Sequence, residues 1–153
     1  MAQRASLAED RFAAETEIAE IATTPHIAGG KDYFVRRDGM EYAGSHVLAD
    51  LWGASRLDDP DHIEEALRAA VAECGATLLH IHLHRFTENG GVSGVAVLAE
   101  SHVTVHTWPE RGFAAFDIFM CGNCDPSKAI PVLRAYFAPD NIQMGEHKRG
   151  MVG

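Results

Sequence analysis

The sequence predicts an α+β two-layer sandwich, a mainly antiparallel sheet with helices on one face. Three observations carry this reading. Short runs in which apolar and polar residues alternate recur from His46 onward. Tight turns separate several of them, so neighbouring strands pair antiparallel. Only two segments beyond His46 carry helical periodicity, enough to cover one face of such a sheet. The other face then needs a cover, and a second copy of the chain is the economical one.

Residues 5–22 place Leu7, Phe12, Ile18 and Ile21 among acidic and Ala positions, which predicts an amphipathic helix. Residues 23–45 mix Thr, Pro, Gly, Asp and Arg and read as a connector, partly extended over 33–35. A strand follows over 46–52. Asp59-Pro60 supplies an N-cap and an N1 proline, and Ile63, Leu67, Ala70, Val71 and Cys74 form one helical face that Gly75 ends. ATLLHIHLHRF is a strand with a turn at 88–91, and three more strands are expected over 94–100, 102–108 and 113–121. Asp125-Pro126 opens a second helix through Ile130, Leu133 and Phe137, which Pro131 must kink or delay. A last strand is expected over 141–147. Residues 1–43 thus read as an N-terminal extension and 44–153 as the working domain.

The chain has 153 residues, 46% hydrophobic and 23% charged, which is enough for one domain with a real core. No apolar run is long enough to cross a bilayer, so no membrane partner is expected. The first twenty residues lack the charged-then-apolar order of a secretory signal, and the expected location is cytoplasmic. The net charge of −9 argues against a nucleic-acid partner, whose phosphates need a basic surface. Three cysteines, Cys74, Cys121 and Cys124, do not make a disulfide scaffold. Cys74, on the apolar helix face, reads as a small core residue.

His80, His82 and His84 alternate along one strand and share a face, with His102 and His106 nearby in sequence. A metal site is conceivable there, but no carboxylate or Cys falls at a convincing ligand spacing, and no metal is expected. Cys121-Gly122-Asn123-Cys124 is a CxxC. Its antiparallel surroundings differ from the βαβ setting of redox motifs, and a zinc ribbon needs a second pair. Ser101 has no Asp-His pair at triad spacing and no GxSxG elbow. A serine forced into a turn between strands can instead attack the peptide carbonyl that precedes it.

Residues 91–122 contain GVSG, ESH, HTWPE and a Cys-Gly pair, in that order. The flanks add HVLADLWG at 46–53, GATLL at 75–79, HRF at 84–86 and KRG at 148–150. Together these blocks resemble the prokaryotic S-adenosylmethionine decarboxylases over residues 44–150. The resemblance implies a proenzyme that cuts itself between Glu100 and Ser101 and converts Ser101 into a covalent pyruvoyl group. Such a ketone forms a Schiff base with the substrate amine and accepts the electron pair left when carbon dioxide departs. The implied substrate is S-adenosylmethionine. The implied assembly is a homodimer of the cleaved halves, 1–100 and 101–153, pairing their sheets as an αββα sandwich.

By the same resemblance, Ser93 steadies the tetrahedral intermediate of the acyl shift and His106 gives acid–base help. Cys121 corresponds to the acid that returns a proton to the substrate's α-carbon. A thiol with an ordinary pKa of about 8.5 suits that task near neutral pH. Glu110 corresponds to the carboxylate that grips the ribose hydroxyls, and Phe86 to the ring that stacks on adenine. Taken singly, each has a bland alternative: a turn serine, a core ring, a solvated strand end, a buried thiol. Strand parity adds a condition. Ser101 and His106 are an odd number of residues apart and face opposite ways on an unbroken strand, so a bend at 100–102 or a movement after cleavage is required.

Three departures accompany the match: the insert 87–90, Met120 before Cys121, and the extension 1–43. The insert lies on the adenine side and bears on substrate. The rival within enzymes is therefore a pyruvoyl-dependent ornithine or arginine decarboxylase. A processing-dead homologue would lack some of Ser93, Ser101, His106 and Cys121, and all four are present. The rival of another class is a metal-binding or CxxC redox module.

Overall fold

The computed structural model describes residues 33–153. The helix expected over 5–22 lies outside the described residues. A short hairpin, β1 (Val35–Arg37) and β2 (Met40–Tyr42), comes first. Its Asp38-Gly39 turn has positive φ at both positions, the sign pattern of a type I′ turn, for which Asp-Gly is a favoured pair. This hairpin occupies part of the expected connector. It is tied to the body by Val152 N–H donating to Glu41 O at 2.9 Å and Ala43 N–H donating to Arg149 O at 2.8 Å. Val35 and Tyr42 are buried.

Six further strands follow: β3 (Gly44–Trp52), β4 (Leu78–Arg85), β5 (Val92–Leu98), β6 (Ser101–Trp108), β7 (Phe113–Met120) and β8 (Asn141–Arg149). They form one sheet in the order β4-β5-β6-β7-β3-β8, every pair antiparallel. The helices are α1 (Pro60–Glu73) and α2 (Ala129–Phe137). The architecture is the expected α+β sandwich.

Each helix begins where its sequence dictates. Asp59 accepts a hydrogen bond from His62 N–H, and Pro60 fills the first turn, where no N–H is required. Before α2, Asp125 caps a 3-10 turn, Pro126–Lys128. Pro131 then falls in the first turn of α2, so it delays the α-helix without kinking it. His62 Nε2 bonds Tyr136 O at 2.8 Å and so ties the two helices together.

The core lies between helices and sheet. Val47, Ala49 and Leu51 of β3 meet Ile63, Leu67 and Ala70 of α1, together with Phe116 and Ile118 of β7 and Leu133 and Phe137 of α2. Burying each large side chain contributes roughly 1.5–3 kcal/mol. Gly94 of the GVSG block is required by close approach, because a Cβ there would collide with the Leu83 side chain and with His82 O at 2.8 Å. The strands expected over 94–100 and 102–108 are displaced towards Val92–Leu98 and Ser101–Trp108. The reason is local: Glu100 has φ +61° and belongs to a two-residue turn with Ala99.

The opposite face of the sheet bears no helix among the described residues. The strand registers align its side chains in rows. One row runs His80, Val97, His102, Phe119, His46, His147. Two residues further along β6 a row passes through Thr104 and Asp117, and two residues beyond that another runs His84, Ser93, His106, Ala115, Asp50. Beyond them Trp108, Phe113 and Trp52 stack in series, with ring centroids 5.1 and 4.4 Å apart. Seven of the chain's nine histidines, His46, His80, His82, His84, His102, His106 and His147, therefore project from this face.

Candidate active site

The site is built on the β5–β6 hairpin. Leu98 and Ser101 pair across its base, and both side chains are buried on the helix side, 2% and 8% exposed. Cys121 follows the last residue of β7, beside the hairpin. Gly122, at φ +59°, turns the chain away there, and its N–H donates to Tyr33 O at 2.8 Å.

These elements bring three of the expected residues together. Cys121 N–H donates to Ser101 Oγ at 3.3 Å, and Cys121 Sγ lies 3.6 Å from that same Oγ. The thiol reaches Glu100 O, the oxygen of the peptide bond to Ser101, at 3.3 Å. The Glu100 carboxylate is 3.8 Å from the sulfur. Burial pushes the Cys121 thiol above its ordinary pKa, the Ser101 hydrogen bond draws it partly back, and the Glu100 charge pushes it up again. The thiol is consequently protonated at neutral pH. The geometry forms a chain, with Ser101 O–H able to donate to sulfur and S–H to the carbonyl oxygen. That chain joins a nucleophile to the acceptor oxygen of its own preceding peptide.

Ser93 and His106 form a second pair. Ser93 Oγ lies 2.8 Å from His106 Nδ1, and the two residues are cross-strand partners on the helix-free face. They are not near Ser101. Strand β6 is unbroken from Ser101 to Trp108, so the bend considered at 100–102 is absent from the strand itself. Five residues of β-strand separate Ser101 from His106 by about 17 Å, on opposite faces.

Phe86 follows β4 and is 46% exposed, with its ring edge-on to His84 at 4.8 Å. Because His84 pairs with Ser93, Phe86 belongs to the Ser93–His106 end of the sheet. The insert 87–90 closes on itself through Phe86 N–H to Gly91 O at 2.8 Å and Gly90 N–H to Phe86 O at 3.0 Å. Glu110 is exposed in the 3-10 turn Pro109–Arg111 directly after Trp108, at the same end. The expected residues thus fall into two groups: Glu100, Ser101 and Cys121 at one end, and Ser93, His106, Phe86 and Glu110 at the other.

Thr107 was not singled out by sequence reading, where it is one β-branched residue within a strand. Its hydroxyl donates to Leu57 O at 2.7 Å and accepts Val92 N–H at 2.8 Å, fixing the start of β5 beside Ser93. Only the polarity of a residue at an inward position of β6 could have marked it. Among the described residues, no three His, Cys, Asp or Glu side chains converge to hold a metal ion. The two thiols of the CxxC also aim apart, Cys124 Sγ reaching Gly75 O at 3.4 Å while Cys121 faces Glu100.

A buried serine hydroxyl linked through a thiol to the carbonyl before it, on a helix-backed antiparallel sheet, is the arrangement that a class of self-processing proteins would need. Comparisons with known proteins specify which. The sequence profile of S-adenosylmethionine decarboxylase matches residues 45–150. The S-adenosylmethionine decarboxylase proenzyme of Thermomicrobium roseum is 45% identical over 114 residues, covering 74% of this chain and 98% of that protein. The proenzyme of Methanococcus vannielii is 46% identical over 116 residues, 74% of this chain and 94% of its own. The solved adenosylmethionine decarboxylase of Aquifex aeolicus superposes with a TM-score of 0.65 at 37% identity, over 73% of this chain and 94% of that one. The chain belongs to the S-adenosylmethionine decarboxylase family.

Proposed function

We propose that the chain is made as a proenzyme, cuts itself between Glu100 and Ser101, and decarboxylates S-adenosylmethionine with the pyruvoyl group formed from Ser101. The product is the aminopropyl donor for spermidine-type polyamines. The observation that carries this reading is the contact of Cys121 with both Ser101 Oγ and the Glu100 carbonyl oxygen.

The cleavage follows from those contacts. Ser101 Oγ attacks the Glu100 carbonyl carbon, its proton passes to the Ser101 nitrogen as the C–N bond breaks, and an ester replaces the amide. Loss of the Ser101 α-proton then breaks the Cβ–O bond and releases residues 1–100 with a C-terminal carboxylate. The dehydroalanine left at 101 adds water and loses ammonia, which leaves a ketone. The residues fit this group, since Ser101 sits at the head of β6 with a protonated thiol beside it. The pyruvoyl ketone supplies the electron sink for decarboxylation. Cys121 holds the proton that returns to the substrate's α-carbon. Phe86 offers an apolar π-face for adenine, and the Glu110 carboxylate can accept two ribose hydroxyls. Ornithine and arginine need neither.

Cleavage does not free the fragments. Strand β3 of residues 1–100 lies between β7 and β8 of 101–153, and β5 pairs with β6, so separation would break three ladders.

The second group of residues supports a dimer. If Ser93 and His106 act on the Glu100–Ser101 bond, the separation of about 17 Å within one chain assigns them to another copy. Pairing the helix-free faces about a two-fold axis would also cover Trp52, Trp108 and Leu48, which stand 40%, 37% and 38% exposed. A side-by-side assay of carbon dioxide release from S-adenosylmethionine, ornithine and arginine tests the substrate. The first should turn over fastest. Faster release from either amino acid would overturn the substrate while leaving the pyruvoyl chemistry in place.

A further inference from the structure

We infer that the turn before the scissile bond is strained, and that this strain drives self-cleavage. The inference rests on the self-processing reading above. Glu100 has φ +61°, the left-handed region that a side chain with a Cβ disfavours. The clash there is between Cβ and the residue's own following carbonyl oxygen, which at Glu100 is the oxygen of the scissile peptide. The crowded atom is thus part of the bond that breaks.

The turn type adds to this. Ala99 and Glu100 form a two-residue hairpin loop with negative φ at the first position and positive φ at the second. That is the sign pattern of a type II turn, which asks for Gly or Asn at its second position and splays the strands it joins. The β1–β2 hairpin of the same chain carries Asp38-Gly39, which matches its turn. At the β5–β6 turn the sequence places Ala-Glu instead.

The surroundings prevent relaxation. Leu98 and Ser101 are paired and buried at the base of the turn. Ala99 N–H is tied to Thr77 O at 3.0 Å, and Cys121 holds both Ser101 Oγ and the Glu100 carbonyl. Strain persists where neighbours over-determine a conformation, and such places cluster at sites of chemistry. The acyl shift relieves it, because the ester inserts Cβ and Oγ into the loop and frees Glu100 from the two-residue span. Glu100 acts here as a positioning residue through its backbone.

The test compares pairs of variants matched in side-chain chemistry, in the full chain. Freshly synthesised precursor is followed to its fragments by intact mass. Glu100→Gly should cleave roughly 5- to 30-fold more slowly than Glu100→Ala, the rate ratio corresponding to a left-handed penalty. Glu100→Asn, which tolerates this region, should be slower than Glu100→Gln. In uncleavable Ser101→Ala precursor, adding Glu100→Gly should raise the melting temperature. Gly and Asn variants that cleave as fast as Ala and Gln, or a glycine that leaves the melting temperature unchanged, would overturn the strain while self-cleavage stands. Failure of the unaltered chain to cleave would instead overturn the reading on which the inference rests.

Discussion

Cys121 Sγ lies 3.3 Å from the carbonyl oxygen of Glu100 and 3.6 Å from Ser101 Oγ, so one thiol spans both partners of the proposed cleavage. Its raised pKa keeps the proton on sulfur through neutral pH. The proton-donating form is lost only as the pH rises beyond the ordinary thiol range. In the proposed mechanism this one side chain would assist the acyl shift in the precursor and protonate carbon in the mature enzyme.

Replacing Cys121 by Ala should slow self-cleavage without abolishing it, because Ser101 and the Cys121 N–H both remain. Turnover of the cleaved protein should fall by about 10²–10⁴-fold, the usual contribution of a positioned general acid. Cys124→Ala should behave nearly as the unaltered chain, since its thiol faces Gly75 O. Equal losses from the two variants, in steady-state kinetics of fully cleaved protein, would point to a CxxC function instead.

Phe86→Ala should raise KM for S-adenosylmethionine by roughly 5- to 150-fold, matching the ~1–3 kcal/mol of one base–aromatic stack. Self-cleavage should be unaffected, because stacking on adenine belongs to substrate binding and takes no part in the acyl shift. Loss of cleavage in this variant would show that Phe86 is needed for more than holding adenine.

A mixed dimer tests the sharing of sites between copies. Co-expressed Ser101→Ala and His106→Ala chains form one composite site in which Ser101 and His106 are both intact. The His106→Ala chain should therefore cleave in the mixture and remain whole alone. No rescue in a demonstrated heterodimer would place Ser93 and His106 outside the cleavage step.

Acid should destabilise the protein through His46. Burial lowers its pKa, Asp117 opposes the shift, and Arg149, His102 and His147 add to it. Among the described residues its Nε2 is buried without a hydrogen-bond partner, 3.7 Å from Asp117 Oδ1. Because the folded pKa is depressed, the unfolded chain binds the proton first as the pH falls below its ordinary value of 6.5. The stability that His46 contributes is complete above that value and is lost as the pH falls through the folded one. Urea unfolding of Ser101→Ala precursor between about pH 7.5 and 5 should show this slope, reduced in His46→Phe. An identical slope in both would contradict it.

Much of the fold was legible because its signals are local. Asp59-Pro60 and Asp125-Pro126 begin helices by capping chemistry, and alternation around Val103 and Val105 marks a strand whichever partners it finds. The β5–β6 turn was misplaced because Ala99-Glu100 carries no turn residue; its backbone is imposed by the pairing of Leu98 with Ser101. The hairpin Val35–Tyr42 was hidden in the connector, its Asp38-Gly39 turn flanked by strands too short to alternate clearly. The candidate site residues were singled out as motif blocks. Their division into two groups was not, because sequence order places Ser93, Ser101 and His106 close together while strand parity sets them on opposite faces. The contact of Cys121 with the Glu100 carbonyl depends on the pairing of β6 with β7 and has no signature along the chain.

Whether the chain builds its own reactive group at Ser101 is decided by the intact mass of the purified protein with and without Ser101→Ala. The unaltered chain should give two species, residues 1–100 and a fragment 101–153 whose first residue is a pyruvoyl group rather than serine. Reduction with cyanoborohydride in the presence of an amine should add mass to the second fragment alone, and the Ser101→Ala chain should remain whole. A single uncut mass for the unaltered protein, or cleavage at the same bond in Ser101→Ala, would contradict the account.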